Sequence, residues 1–186
     1  MITTNPQFRA PMRTASSGFT LLEVLIAIVV VAFGLLGLAG LQVFALRNNA
    51  SAAQRVTASN LTVDIVDRMK ANYLGVVAGN YDGPTSGAYA GPAVSTCASK
   101  GGTCSPANLA TTDLFEWQQR VAATLPGGVG RVCVDSTPST ADTPAGTAGC
   151  DGLGINGYVV KIWWFDERGR GTGTGTLKNV YTIFNP

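Results

Sequence analysis

Few side chains in this sequence are placed to do chemistry, and the clearest is Glu23. It is a lone carboxylate at the start of an apolar run in which, from Val24 to Leu46, only Gln42 is strongly polar. An ionisable group inside a membrane segment costs roughly 2.5–3.5 kcal/mol on insertion scales, so its presence implies a use. The chemistry open to it is pairing with a cation in a low-dielectric setting, where either charge alone would be costly. The sequence contains no histidine, which removes the commonest general base and the commonest metal ligand. No nucleophile–base set takes its place, so neither a catalytic centre nor a metal or cofactor is expected. The remaining reactive groups are Cys97, Cys104, Cys133 and Cys150, all downstream of the apolar run. An even number of cysteines in a membrane-tethered domain implies an oxidising compartment and two disulfides. Gly101-Gly102 lets the chain turn between Cys97 and Cys104, so a local bridge is the economical pairing there; a zinc or redox pair would want closer spacing and further ligands. A Cys133–Cys150 bridge would close the excursion between them and add on the order of 3 kcal/mol in the loop-entropy model.

The elements that must carry these groups follow from the pattern of the chain. The 186 residues leave room for one domain beyond the apolar run. Thirteen basic against eleven acidic side chains imply no polyanionic partner, so no nucleic acid is expected, and no motif points to a small-molecule substrate. The run from 24 to 46 meets the about 20 residues needed to cross a bilayer. Arg9 and Arg13 ahead of it would stay on the cytoplasmic side. Gly34, Gly37 and Gly40 form a small-residue stripe that favours close helix packing. From Arg47 to Leu74 there is no proline or glycine, and Leu46, Ala50, Ala53, Ala58, Leu61, Ile65 and Met69 form a helical stripe. One helix from about Phe19 to Asn72 is expected, roughly 80 Å at 1.5 Å per residue. Asp64 and Arg68 make a surface pair on it.

Residues 73–108 read as a long connection. A second short helix is expected at about 112–125, with Thr112 or Asp113 as its cap, Glu116 closing a capping box, and Pro126-Gly127-Gly128 as the stop. Trp117 faces its core side. Gly130 to Asp135 alternates as a strand, and Tyr158 to Phe165 is apolar on both faces and should be the central strand. Asp166 to Gly171 is a charged turn before a last strand at Leu177–Phe184. Gly169 to Gly175 lacks the Lys-Ser/Thr ending of a phosphate loop. Asn49 and Asn60 sit in glycosylation triplets but inside the expected helix.

Gly18-Phe19-Thr20-Leu21-Leu22-Glu23, followed by an unbroken apolar stretch, resembles the processing signature of type IV pilins. That resemblance implies a leader, 1–18, cut after Gly18 by a prepilin peptidase, with the new N-terminus on Phe19 methylated. It also implies that the Phe19 ammonium of one subunit pairs with Glu23 of another during assembly. The leader departs from many in ending on Ser17 rather than a basic residue. Asp67-Arg68-Met69-Lys70-Ala71-Asn72 resembles the end of the long helix in PilV-like minor pilins, and the outline of 109–186 is similar to theirs. The fold implied is α+β, the type IV pilin fold: one long N-terminal helix packed on a small antiparallel β-sheet. Residues 19–46 would be the transmembrane and filament-core half of the helix, and 47–186 a periplasmic head. The resemblance implies a minor pilin acting in pilus assembly, priming and tip-associated adhesion. Its partners would be other minor pilins, the major pilin, the peptidase and the inner membrane, with later exposure on the cell-surface pilus. The nearest alternative is a minor pseudopilin of type II secretion. A signal-anchored periplasmic enzyme or binding module is the alternative from another class.

Overall fold

The structure is a computed structural model that describes residues 18–83, 97, 104–139, 142–144, 150–153, 157–166 and 176–186. Helix α1 spans Leu21–Ala71, α2 Tyr73–Val77 and α3 Pro106–Thr124; strands β1 (Val129–Val134), β2 (Tyr158–Phe165) and β3 (Leu177–Phe184) follow. The fold is α+β, with one long N-terminal helix, a short helix and a three-stranded antiparallel sheet. The chain divides into two units, Met1–Phe44 and Ala45–Pro186.

In the first unit, every described side chain is exposed. This stretch of α1 is the one segment among the described residues that is long and apolar enough to cross a membrane. A soluble helix would bury such a surface, because contiguous apolar surface in water is costly.

In the second unit the sheet order is β1-β2-β3, with β2 central as its two-sided apolar pattern required. Val132 pairs across with Val160, and Ile162 with both Gly130 and Val180. One face of β2, made of Tyr158, Val160, Ile162 and Trp164, packs with Ala58, Leu61, Ile65 and Met69 of α1 and with Leu114, Trp117 and Val121 of α3. The expected stripe therefore holds only from Ala58 onward. Leu46 is 68% exposed and Ala53 is exposed, and neither joins the core cluster.

The other face of the sheet carries a second, smaller core of Cys133, Cys150 and Trp163, edged by Val129 and Leu177. Cys133 and Cys150 are joined, with Cα atoms 5.9 Å apart. The segment after β1 is fastened over this face. Lys161 Nζ donates to Asp135 Oδ2 and to Asp142 Oδ2, each at 2.6 Å. Trp163 Nε1 donates to the Asp142 carbonyl at 2.8 Å. The Ser136 hydroxyl, with the amides of Leu153 and Ser136, holds the Asp151 carboxyl below the usual carboxylate range. Sequence reasoning had no signal for Lys161, which sits on β2 as the one charged residue in an apolar strand.

Two further expectations need correction. Helix α3 begins at Pro106, not near Thr112. Ser105 is its N-cap, accepting from the Asn108 amide at 3.2 Å, and Pro106 fills a first-turn position where no N–H is needed. Asp113 is thus mid-helix and buried. The connection after α1 is also not featureless: Asn72 caps α2 by accepting from Gly75 N at 3.3 Å. α3 ends as expected, and Gly127, at φ +60°, takes the left-handed conformation a helix exit needs. The charged turn and the glycine-rich stretch at 169–175 lie outside the described residues beyond Asp166, as does the leader ahead of Gly18.

Candidate functional site

The start of α1 is set by Thr20. Its hydroxyl accepts from the Glu23 amide at 3.2 Å, and its carbonyl accepts from the amides of Glu23 and Val24 at 3.1 and 3.3 Å. This is an N-cap, in which a side-chain oxygen satisfies a donor that has no partner inside the helix. Thr20-x-x-Glu23 has the spacing of a capping box, a signal the sequence carries alongside the lone carboxylate. The cap has a geometric result. Gly18 and Phe19 lie outside the helix and exposed, with Phe19 at 82%. The Gly18–Phe19 peptide bond is therefore held in non-helical chain, the form in which a peptidase can grip it.

Glu23 occupies the first turn of α1, where the positive end of the helix dipole favours a carboxylate. It is exposed and has no ion-pair partner among the described residues. Phe19, Glu23, Val24, Ala27, Val31 and Leu35 line one open apolar groove along the helix. A cation arriving on that groove would meet a carboxylate framed by hydrocarbon, where pairing is strengthened and an unpaired charge is penalised. Gly34, Gly37 and Gly40 have open space where a Cβ would sit, so their stripe is free to admit a second helix.

The head holds the other predicted residues. Cys97 and Cys104 are bridged, with Cα atoms 5.0 Å apart, and Cys104 directly precedes the Ser105 cap. Among the described residues no cluster of His, Cys, Asp or Glu has the ligand number of a metal centre. The Asp67–Asn72 segment is architectural. Arg68 reaches Asp113 and Glu116 on α3 at 3.1 Å each, besides Asp64 at 3.5 Å. Met69 is fully buried, and Asn72 Nδ2 donates to the Pro106 carbonyl at 2.8 Å and to Tyr81 Oη at 3.2 Å. Tyr81 in turn donates to Asp113 at 2.6 Å. Trp117 is core, as expected, and its Nε1 donates to the Leu61 carbonyl of α1 at 2.8 Å. These bonds clamp α3 across the end of α1.

Residues 13–39 match the family described as the prokaryotic N-terminal methylation motif. No curated protein and no solved structure matches the chain. The matched stretch contains Gly18, Phe19, Thr20 and Glu23, and it supports a type IV pilin-like or pseudopilin-like protein, cut by a prepilin peptidase and assembled with other pilins.

Proposed function

We propose that the chain is a minor pilin of the type IV pilus, most like the PilV group, made as a prepilin in the bacterial inner membrane with its head in the periplasm. It is a structural subunit rather than an enzyme. The observation that carries this is the start of α1: a Thr20-capped helix leaves Gly18 and Phe19 exposed, and Glu23, one turn beyond, has no ion-pair partner among the described residues. Cleavage after Gly18 creates an ammonium on Phe19, and methylation keeps its charge. Presented to Glu23 of a neighbouring subunit, that ammonium supplies the missing partner as α1 leaves lipid for the filament core. The four-residue offset between amine and carboxylate sets a subunit's axial position against its neighbour. Placement near the tip, with roles in priming and adhesion, belongs to the same reading.

Intact mass and N-terminal sequencing of protein made with and without the peptidase test it. The processed chain is expected to start at N-methylated Phe19, and a chain still beginning at Met1 with active peptidase present defeats the reading. Glu23→Val is expected to insert and be cleaved normally, yet fall at least tenfold in sheared filaments. A pseudopilin of type II secretion would share the signature and the cut. Recovery in pili rather than restoration of secretion separates the two.

A further inference from the structure

Lys161 has an environment that the assembly role does not use. Its side chain is 2% exposed, that of Asp135 1%, and both their closest oxygen–nitrogen contact and that to Asp142 are 2.6 Å. The three groups belong to different parts of the chain: Asp135 follows β1, Asp142 lies on the segment folded over the sheet, and Lys161 points out of the middle of β2. Taking each ion out of water costs several kcal/mol, and a second buried cation, Arg131 at 2% exposure, stands across from Lys161 on β1.

We infer that this cluster is a self-modification site, forming an amide bond between Lys161 Nζ and Asp135 Cγ with Asp142 as the proton carrier. The geometry assigns the roles. Asp135 Oδ2 faces Nζ, while its Oδ1 accepts from the Thr137 amide at 3.1 Å. That amide is placed to hold the oxygen that takes up charge when nitrogen adds to carbon. Asp142 Oδ2 touches the same nitrogen and accepts from the Ser139 amide at 3.1 Å, so it can take a proton from Nζ and pass it to the departing oxygen. The Nζ lone pair forms the C–N bond as the Cγ–Oδ2 bond breaks. Of the three ammonium protons, two leave with Oδ2 as water and one stays as the amide N–H. One positive and one negative charge disappear together, so no oxidant, reductant or cofactor is needed. The burial cost of that pair goes with them, and the remaining charge rests on Asp142, at 15% the most exposed of the three. Fixed proximity supplies the drive that free amines and carboxylates lack, with effective molarities on the order of 10⁵–10⁸ M for well-oriented groups. The reaction turns over once, and its product is part of the fold.

Mass spectrometry of the full chain, purified from membranes, reduced and denatured, decides the matter. The mass is expected to be one water below that of the sequence after processing is counted. Trypsin should fail to cut at Lys161 and yield a single peptide spanning 132–168 that is lighter by one water. A full mass with normal cleavage at Lys161 overturns the inference, whatever the variants do. Asp142→Asn keeps the lysine and its target but lacks the carrier, so full mass and cleavage at Lys161 should return. Water loss in that variant overturns the role of Asp142. Asp135→Asn should lose ammonia instead of water. A bond mapped to Asp142 in the unaltered chain overturns the choice of Asp135. None of these outcomes bears on cleavage after Gly18, so the two readings fail separately.

Discussion

Tyr81 has no exposed surface, and its hydroxyl donates to Asp113. Burial, then that carboxylate, push its ionisation well above the ordinary tyrosine value. Tyr158, whose hydroxyl donates to the Val76 carbonyl, is raised too, by burial first and by the charge of Asp82 second. A raised folded-state value means that the protonated form is favoured by folding. The contribution is complete below the unfolded tyrosine value of about 10 and is lost as pH climbs from there toward the folded value. Thermal melts of the head between neutral pH and about pH 11 should therefore show an alkaline fall in stability. Tyr81→Phe should lower stability near neutrality by about 1 kcal/mol, since Asn72 and Asp113 lose a partner, and should make the alkaline fall shallower. An unchanged alkaline slope would show that other groups govern it.

Among the elements, α3 offers the sharpest test, because two of its residues compete for the same job on paper. Ser105 is the cap, so Ser105→Ala should cost about 1 kcal/mol. Asp113 accepts from buried Tyr81 and from Arg68, so Asp113→Ala should cost more, about 1–3 kcal/mol, by leaving buried donors unmatched. Urea titration of the two variants ranks them, and a larger loss from Ser105→Ala would contradict this assignment. The order of elements was legible in the sequence because it rests on period and punctuation: the apolar length of α1, the two-sided strand β2, the stop at Pro126-Gly127-Gly128. The start of α3 was not, because Thr112, Asp113 and Glu116 imitate a capping box and Ser105 is hidden beside a cysteine. Local spacing cannot tell a cap from a mid-helix residue whose partner lies on another element. The same limit hid Lys161, whose partners come from a segment folded over the sheet. At the start of α1, Glu23 stood out as a lone carboxylate and Gly18 only through the resemblance to a processing signature, whereas the stop that Thr20 imposes required hydrogen bonds to be seen.

At the scale of the whole molecule, α1 runs through two units with different surfaces. Up to Phe44 it is apolar and uncovered, which suits lipid or a bundle of like helices. In the head, the first α1 side chain to reach the core is Ala58. The residues between, including Arg47, Arg55 and Val56 at 60% exposure, make no contribution to the core. The chain thus carries basic protease sites in a stretch that neither holds the head together nor lies in the apolar run. Trypsin acting on detergent-solubilised protein is expected to release a fragment beginning at Val56 that melts as the intact head does. A fragment that unfolds on release would mean that the upper turns of α1 support the core after all. If it persists, the same stretch gives a cell a means of shedding. One cut there would free a folded, disulfide-closed head into the surroundings and leave the helix, with its lone carboxylate, behind.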